Sequence, residues 1–191
     1  RQRQMCIRDR NERSNYSLDY CKLYRERYMT NNKNNLALGA KVTYLTEPTG
    51  KYAETGRTAL TDGLYGGASY VESWVGWEGK DGAFVVDLGE VKDVRKVSAD
   101  FLHQIGAWIL FPLEVSYSYS MDGENYTLWD SIKMPEDRSN QVLFREVKAE
   151  SITPLKARYI KVEVTGTKVC PHWHYGVGHP SWFFVDEVTV E

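Results

Sequence analysis

The segment Leu113-Glu114-Val115-Ser116-Tyr117-Ser118-Tyr119-Ser120 alternates apolar and polar residues with a period of two. Successive side chains of an extended strand point to opposite faces, so this pattern specifies a strand with one buried face. It puts Leu113, Val115, Tyr117 and Tyr119 on one side, and Glu114 and the serines on the other. Met121-Asp122-Gly123-Glu124 follows directly and supplies an Asp-Gly hairpin turn, because glycine adopts positive φ without steric penalty. Asn125-Tyr126-Thr127-Leu128-Trp129 then begins a return strand.

The same period recurs along the chain. Arg158–Thr165 places Ile160, Val162 and Val164 inward, and Ala83–Leu88 is apolar almost throughout, as a central strand is. With Val94–Leu102, Gln141–Val147 and Phe183–Val190 there are at least seven short strands. Strands do not alternate with helical segments, which excludes a parallel α/β sheet. The expected fold is all-β: an antiparallel β-sandwich of the jelly-roll kind, with long loops at Glu47–Ala83, His103–Pro112 and Thr165–Trp182. Those loops hold most of the tryptophan and histidine.

The first thirty-four residues read differently. Residues 1–10, RQRQMCIRDR, carry four arginines and no hydrophobic period. They resemble the translation of a sequencing-library adapter and are expected to be a non-native tail, a genuine basic tail being the alternative. In residues 11–30, Leu18, Cys21, Tyr24 or Arg25, and Tyr28 recur at helical spacing, which predicts a short amphipathic helix. A polar asparagine-rich linker follows. A lone helix of this kind packs on a neighbour, here expected to be an upstream domain, so 11–34 is assigned to that helix and linker and 35–191 to the sandwich.

Composition narrows the function. The net charge is -2 and no basic stripe is present, so nucleic acid has no electrostatic footprint. Apolar runs such as Ala107–Phe111 are too short to cross a bilayer, and the N-terminus lacks the apolar core of a signal peptide. Cys6, Cys21 and Cys170 form neither a disulfide framework nor a zinc pattern. Aromatic residues are 13% of the chain, which suits both β structure and surfaces that stack on sugars.

Catalytic patterns are missing. There is no Gly-x-Ser-x-Gly elbow, and Cys170 precedes Pro171 with no organised acid partner. Glu78 and Asp81 share one loop, a poor arrangement for flanking a glycosidic bond; they cap turns or hold a sugar hydroxyl instead. His172 and His174 could face one side of an extended segment, but zinc would need further ligands such as His179 or His103. The favoured reading makes them the rim of a binding face. A flat aromatic ring beside fixed polar groups suits a saccharide. The candidates are Trp108, Trp77 and Trp173 as platforms, with His103, Glu78, Asp81 and His174 as polar partners. Trp108 sits at a loop tip between Gly106 and Pro112, whereas Trp74 and Trp182 border strands and are expected in the core.

Six segments in order carry a family resemblance. They are Asn35–Thr43 (NLALGAKVT), Leu60-Thr61-Asp62-Gly63, Val85–Gly89 (VVDLG), Ser118–Tyr126 (SYSMDGENY), Ala157–Val162 (ARYIKV) and Val185-Asp186-Glu187-Val188. Together they resemble discoidin domains, also called factor V/VIII type C domains, which are galactose-binding-domain-like and similar to family 32 carbohydrate-binding modules. Trp74–Asp81 and His172–Trp182 resemble the subgroup at the C-termini of bacterial glycoside hydrolases, notably family 20 β-hexosaminidases. The resemblance implies a structural calcium and no catalytic cofactor. Asp62 would give a side-chain oxygen, Ala59 and Leu64 carbonyls, Glu187 a carboxylate and Asp186 its carbonyl. Gly67 stands where the family has a Thr or Ser ligand, with Ser69 two residues on, and Asp62 could instead serve only its turn.

The expected function is a non-catalytic carbohydrate-binding module of a secreted, periplasmic or outer-surface bacterial glycoside hydrolase. Its partners would be a glycan or polysaccharide and the catalytic domain in cis, with no nucleic acid and no membrane, and the chain would be a monomer. The alternative is a structural accessory domain that packs on a β-N-acetylhexosaminidase-like catalytic domain and binds no free glycan.

Overall fold

The computed structural model describes residues 34–52, 59–67, 69–71 and 73–191. The tail at 1–10 and the helix expected at 11–30 lie outside them. Seven strands are present among these residues: β1 Lys41–Tyr44, β2 Val75–Glu78, β3 Gly82–His103, β4 Glu114–Ser120, β5 Thr127–Lys133, β6 Leu143–Thr165 and β7 Trp182–Val190. All pairings are antiparallel. No helix among these residues is long and apolar enough to cross a membrane.

The segments Ala83–Leu88 and Val94–Leu102 are one strand, β3, and Arg158–Thr165 and all of Gln141–Val147 but its first two residues fall within another, β6. Each runs through both layers of the sandwich. The first half of β3 pairs with β1 and with the second half of β6, which in turn pairs with β4 and then β5. The second half of β3 pairs with β7 and with the first half of β6, and β2 closes that layer on β7. The register slips between Asp87 and Lys92 and again between Val94 and Lys96, where the pair folds over. Gly89, at φ 84°, takes a left-handed conformation open to glycine at the start of that fold.

Folding over brings the inward residues of both halves into one core. Phe84, Val86, Ile160 and Val162 from one layer pack with Val97, Ala99, Phe101, Val147 and Val185 from the other. Burial of such a side chain contributes about 1.5–3 kcal/mol. Tyr117 keeps its hydroxyl in this core by donating to the Val147 carbonyl at 2.7 Å, and burial pushes its pKa far above the ordinary phenol value. The outer face of the second layer is covered too: Trp74, Leu102, Ile109 and Phe184 form a second apolar cluster over it. Hence β7 and the second half of β3 are buried on both faces.

Two expectations are corrected. Leu113 is 52% exposed and precedes β4, which starts at Glu114. The span 47–83 contains β2, an edge strand, and this strand carries Trp77 inward. A Cβ at Gly76 would lie 2.7 Å from the Phe184 ring, so glycine lets β2 come close to β7. Trp77 is wholly buried, stacks on Phe183 at 5.1 Å and donates from Nε1 to the Thr46 carbonyl at 3.0 Å. It is a core residue and no ligand platform. Trp77→Ala should lower the unfolding free energy by about 3–5 kcal/mol in urea titrations, the penalty for emptying a core aromatic site. An equal stability for variant and parent would return Trp77 to the surface.

Candidate functional site

Because β3 and β6 both fold over, their ends meet at one end of the sandwich. The segments 79–81, 104–113, 134–142 and 166–181 open there and are tied together by backbone bonds. Trp182 N–H donates to the Trp108 carbonyl, Ser181 N–H to Lys168, and Gly79 N–H to Ser181, each at 2.9 Å.

The 166–181 loop closes on itself: Cys170 N–H donates to the His179 carbonyl at 2.8 Å and Gly178 N–H to the Cys170 carbonyl at 3.1 Å. His174, 3% exposed, fastens this loop to the neighbouring turn. Its Nδ1 accepts from Gly176 N–H at 2.9 Å, which leaves Nε2–H to donate to the Ile105 carbonyl at 3.0 Å. Both ring nitrogens are therefore engaged with backbone, and the ring works as a staple. Tyr175 stacks on it at 4.5 Å and donates its hydroxyl to the Gly106 carbonyl at 2.8 Å. That ring is 67% exposed.

Trp108, at φ 62°, ends the short turn Ile105–Ala107, and its ring lies 6.4 Å from Tyr175 and 5.5 Å from His179. A Cβ at Gly176 would sit 3.0 Å from that indole, so glycine makes room for the close approach. Trp173 is half-buried on the other side of His174. Its Nε1 donates to Glu136 Oε2 at 2.8 Å, and the Arg138 guanidinium lies 5.3 Å over its ring. The bond from Trp173, then that from Arg138, holds the Glu136 carboxyl below its ordinary pKa. A shallow groove lined by Phe111, Met134, Asp137, Thr167 and Pro171 runs beside Trp173.

The structure thus brings Trp108, Trp173 and His174 together, His174 as framework. His103 is 1% exposed, stacks on Phe111 at 5.1 Å and bonds the Asp137 carbonyl through Nε2 at 3.1 Å. Burial lowers its pKa, and no face is left for a ligand. Asp81 accepts from Gly166 N–H at 3.0 Å and pairs with Lys168 Nζ at 3.0 Å, tying the β2–β3 turn to the 166–181 loop. Glu78, half-buried, ends β2 opposite Trp182 and donates its backbone N–H to Thr49 Oγ1 at 3.0 Å. The residues that complete the rim, Tyr175, His179, Glu136 and Arg138, are not among the predicted set. Tyr175 and His179 lie inside the histidine-rich segment that drew attention; nothing in Pro135–Asn140 signals that Glu136 and Arg138 reach an indole from another hairpin.

His174→Ala removes one bond from each ring nitrogen: the Ile105 carbonyl keeps only the bond from Trp108 N–H, and the buried Gly176 N–H loses its acceptor, a loss of about 1–3 kcal/mol. Limited proteolysis should then cut within 166–181 faster than in the parent, and His174→Gln should restore part of the protection. Unchanged cutting in both variants would remove the staple.

A second cluster lies along β7. The register against β3 slips by one residue between Val185 and Val188, so Asp186 and Glu187 occupy a bulge that turns both carboxylates toward the 59–66 loop. Glu187 Oε1 accepts from Gly63 N–H at 3.0 Å and Asp186 Oδ2 from Gly66 N–H at 2.8 Å. Asp62 Oδ1 accepts from Leu64 N–H at 2.8 Å and so does hold its own turn. Glu187 is 1% exposed, and its Oε2 is buried with no hydrogen-bond partner. Burial above all, and then the charges of Asp186 and Asp62, raise the Glu187 pKa well above the ordinary value. No group of three or more His, Cys, Asp or Glu among the described residues is placed to hold a metal ion. A hard cation here would thus rely on backbone carbonyls, as from Ala59 and Leu64, and the orphaned Oε2 fits such a donor set.

Comparison with known proteins follows the geometry. Curated proteins give no match. Among solved structures, a Ruminococcus gnavus GH29 fucosidase in complex with fucose aligns at 18% identity and TM-score 0.53, over 91% of this chain and 29% of that one. The chain therefore spans under a third of that enzyme. Chitosan-binding module 1 of a Paenibacillus sp. chitosanase/glucanase aligns at 18% identity and TM-score 0.53, over 83% of this chain and 98% of that one. A fucose binding module of Streptococcus pneumoniae aligns at 12% identity and TM-score 0.51, over 83% and 97%. Identities this low speak for the fold alone. The family assignment rests on sequence: residues 41–183 match the F5/8 type C domain, and the chain belongs to that family.

Proposed function

We propose that this domain is a non-catalytic carbohydrate-binding module that keeps a bacterial glycoside hydrolase on its glycan. The observation that carries the reading is the rim at one end of the sandwich. There Trp108, Trp173 and the exposed Tyr175 ring stand beside Glu136, Arg138, His172 and His179. Aromatic faces take the C–H face of a sugar ring, and the exposed charged and imidazole groups take its hydroxyls. The likeness to a chitosan-binding module, to a fucose binding module and to part of a fucosidase chain supports it. A β-N-acetylhexosaminidase-like parent rests on the resemblance of Trp74–Asp81 and His172–Trp182. With it go a secreted or outer-surface location and a monomeric module.

A second reading, docking on the catalytic domain without free glycan, draws on the apolar side chains that the same loop leaves exposed, Val169 and Val177 at 48% and 54%. A glycan array separates the two. Binding by the parent that falls by about tenfold or more in Trp173→Ala and Tyr175→Ala, with unchanged circular dichroism, supports the module. A blank array from the folded protein favours docking.

We further propose that calcium occupies the Asp62, Asp186 and Glu187 region, with carbonyls from Ala59 and Leu64. Bound there, the cation would supply the positive charge that an ionised, buried Glu187 lacks. A carboxyl whose folded-state pKa is raised favours folding while protonated. Calcium-free protein should therefore lose stability as pH rises from the ordinary carboxylate range through the raised value. Calcium at one hundred times its Kd adds about 2.7 kcal/mol, roughly a 5–11 °C rise in Tm for a domain of this size. The rise should be larger at pH 7 than at pH 5 and absent in Glu187→Gln. A calcium-independent Tm at both pH values would leave Asp62 to its turn alone.

A further inference from the structure

The turn that carries Trp108 separates two aromatic surfaces. The Trp108 ring faces Tyr175 and His179, on the side of the rim. Its chain neighbours Ala107 and Ile109 line a cleft whose remaining walls are Tyr52, Tyr70, Trp182 and Phe184. Trp182 and Phe184 stack at 5.5 Å and 26°, and Tyr52 stands edge-on to both at 5.2 Å. Tyr70 closes the far wall 5.8 Å from Tyr52. Tyr52, Tyr70, Ala107 and Trp182 are each half-buried, so the cleft opens to solvent along them, while Ile109 and Phe184 form its buried floor.

Among the described residues no charged side chain lines this cleft. The described side chains of this cleft offer an anion or a cation nothing beyond ring faces, but those faces suit the C–H face of a neutral sugar ring. Its position supplies the occupant. The cleft and the rim share one wall, the backbone at 107–109, which is fixed by Leu110 N–H donating to the Trp182 carbonyl and Trp182 N–H to Trp108, both at 2.9 Å. Resting on the carbohydrate reading above, we infer that the cleft is a second subsite, which takes a neutral sugar ring of the same chain that lies on Trp108 and Tyr175. The module then selects uncharged oligosaccharide chains over single terminal sugars.

Calorimetric titration of the full 191-residue chain tests this. The probes are galactose, N-acetylglucosamine and fucose, and neutral oligosaccharides of two and four rings that end in each. For the sugar that binds, affinity should rise by about tenfold or more from one ring to four. Ala107→Arg puts a long charged side chain into the cleft without removing a ring. It should bring the four-ring Kd back to within about twofold of the single sugar's and leave the single sugar's Kd unchanged. Tyr70→Ala should act in the same direction, and it decides the matter if Ala107→Arg does not fold. Chain-length-independent affinity in the parent, or folded variants that keep the full oligosaccharide affinity, overturns the subsite and leaves the carbohydrate reading standing. A parent that binds none of these saccharides overturns both.

Discussion

The structure depends on one antiparallel pair, β3 with β6, that is long enough to serve two layers. A flat pair of that length would expose one apolar face along its whole course. Folding it over between Asp87 and Lys96 instead turns Phe84 and Val86 toward Phe101 and Val97 and buries both. β1 and β4 add to its edges in one layer and β7 in the other, and β5 and β2 follow on β4 and β7. The polar residues that flank the fold confirm its exposure. Arg158 clamps Asp87 through Nε and Nη2 at 2.8 and 3.1 Å, and this pairing lowers the Asp87 pKa. Both partners are solvated, so the clamp shapes the bend more than it stabilises the fold.

The same constraint assembles the rim. A pair that folds over returns both of its ends to one place, so the connections after β3, β5 and β6 emerge together although they are far apart in sequence. The loop ends are held by backbone bonds and by His174, which leaves the aromatic tips to face solvent on a fixed base. Pre-ordering of this kind lowers the entropy lost when a ligand is bound.

Trp74, Trp77 and Trp173 differ in where their N–H finds a partner. Trp74 and Trp77 donate to the carbonyls of Gly67 and Thr46 and are buried at 6% and 0% exposure. Trp173 donates to a solvent-exposed carboxylate instead and stays at the surface. A buried indole needs a partner inside the protein, while a rim indole can be served by a side chain that is itself wet. This accounts for aromatic abundance that serves both core and site, and for the failure of residue type alone to separate the two.

Period-two alternation in 113–120 and 158–165 determined strands, and Asp-Gly at 122–123 determined a hairpin, because pleat and turn are local properties of the chain. The tertiary structure alone decided that 83–88 and 94–102 are one strand bent across two layers, since the register of β6 opposite sets that. It alone decided that Trp77 and His103 are framework, because burial depends on what covers a side chain and not on its neighbours in sequence. It also brought Glu136 and Arg138 to Trp173 and, through a one-residue bulge, aimed Asp186 and Glu187 at the 59–66 loop. Such long-range juxtapositions are fixed by packing and strand register, which no local spacing encodes.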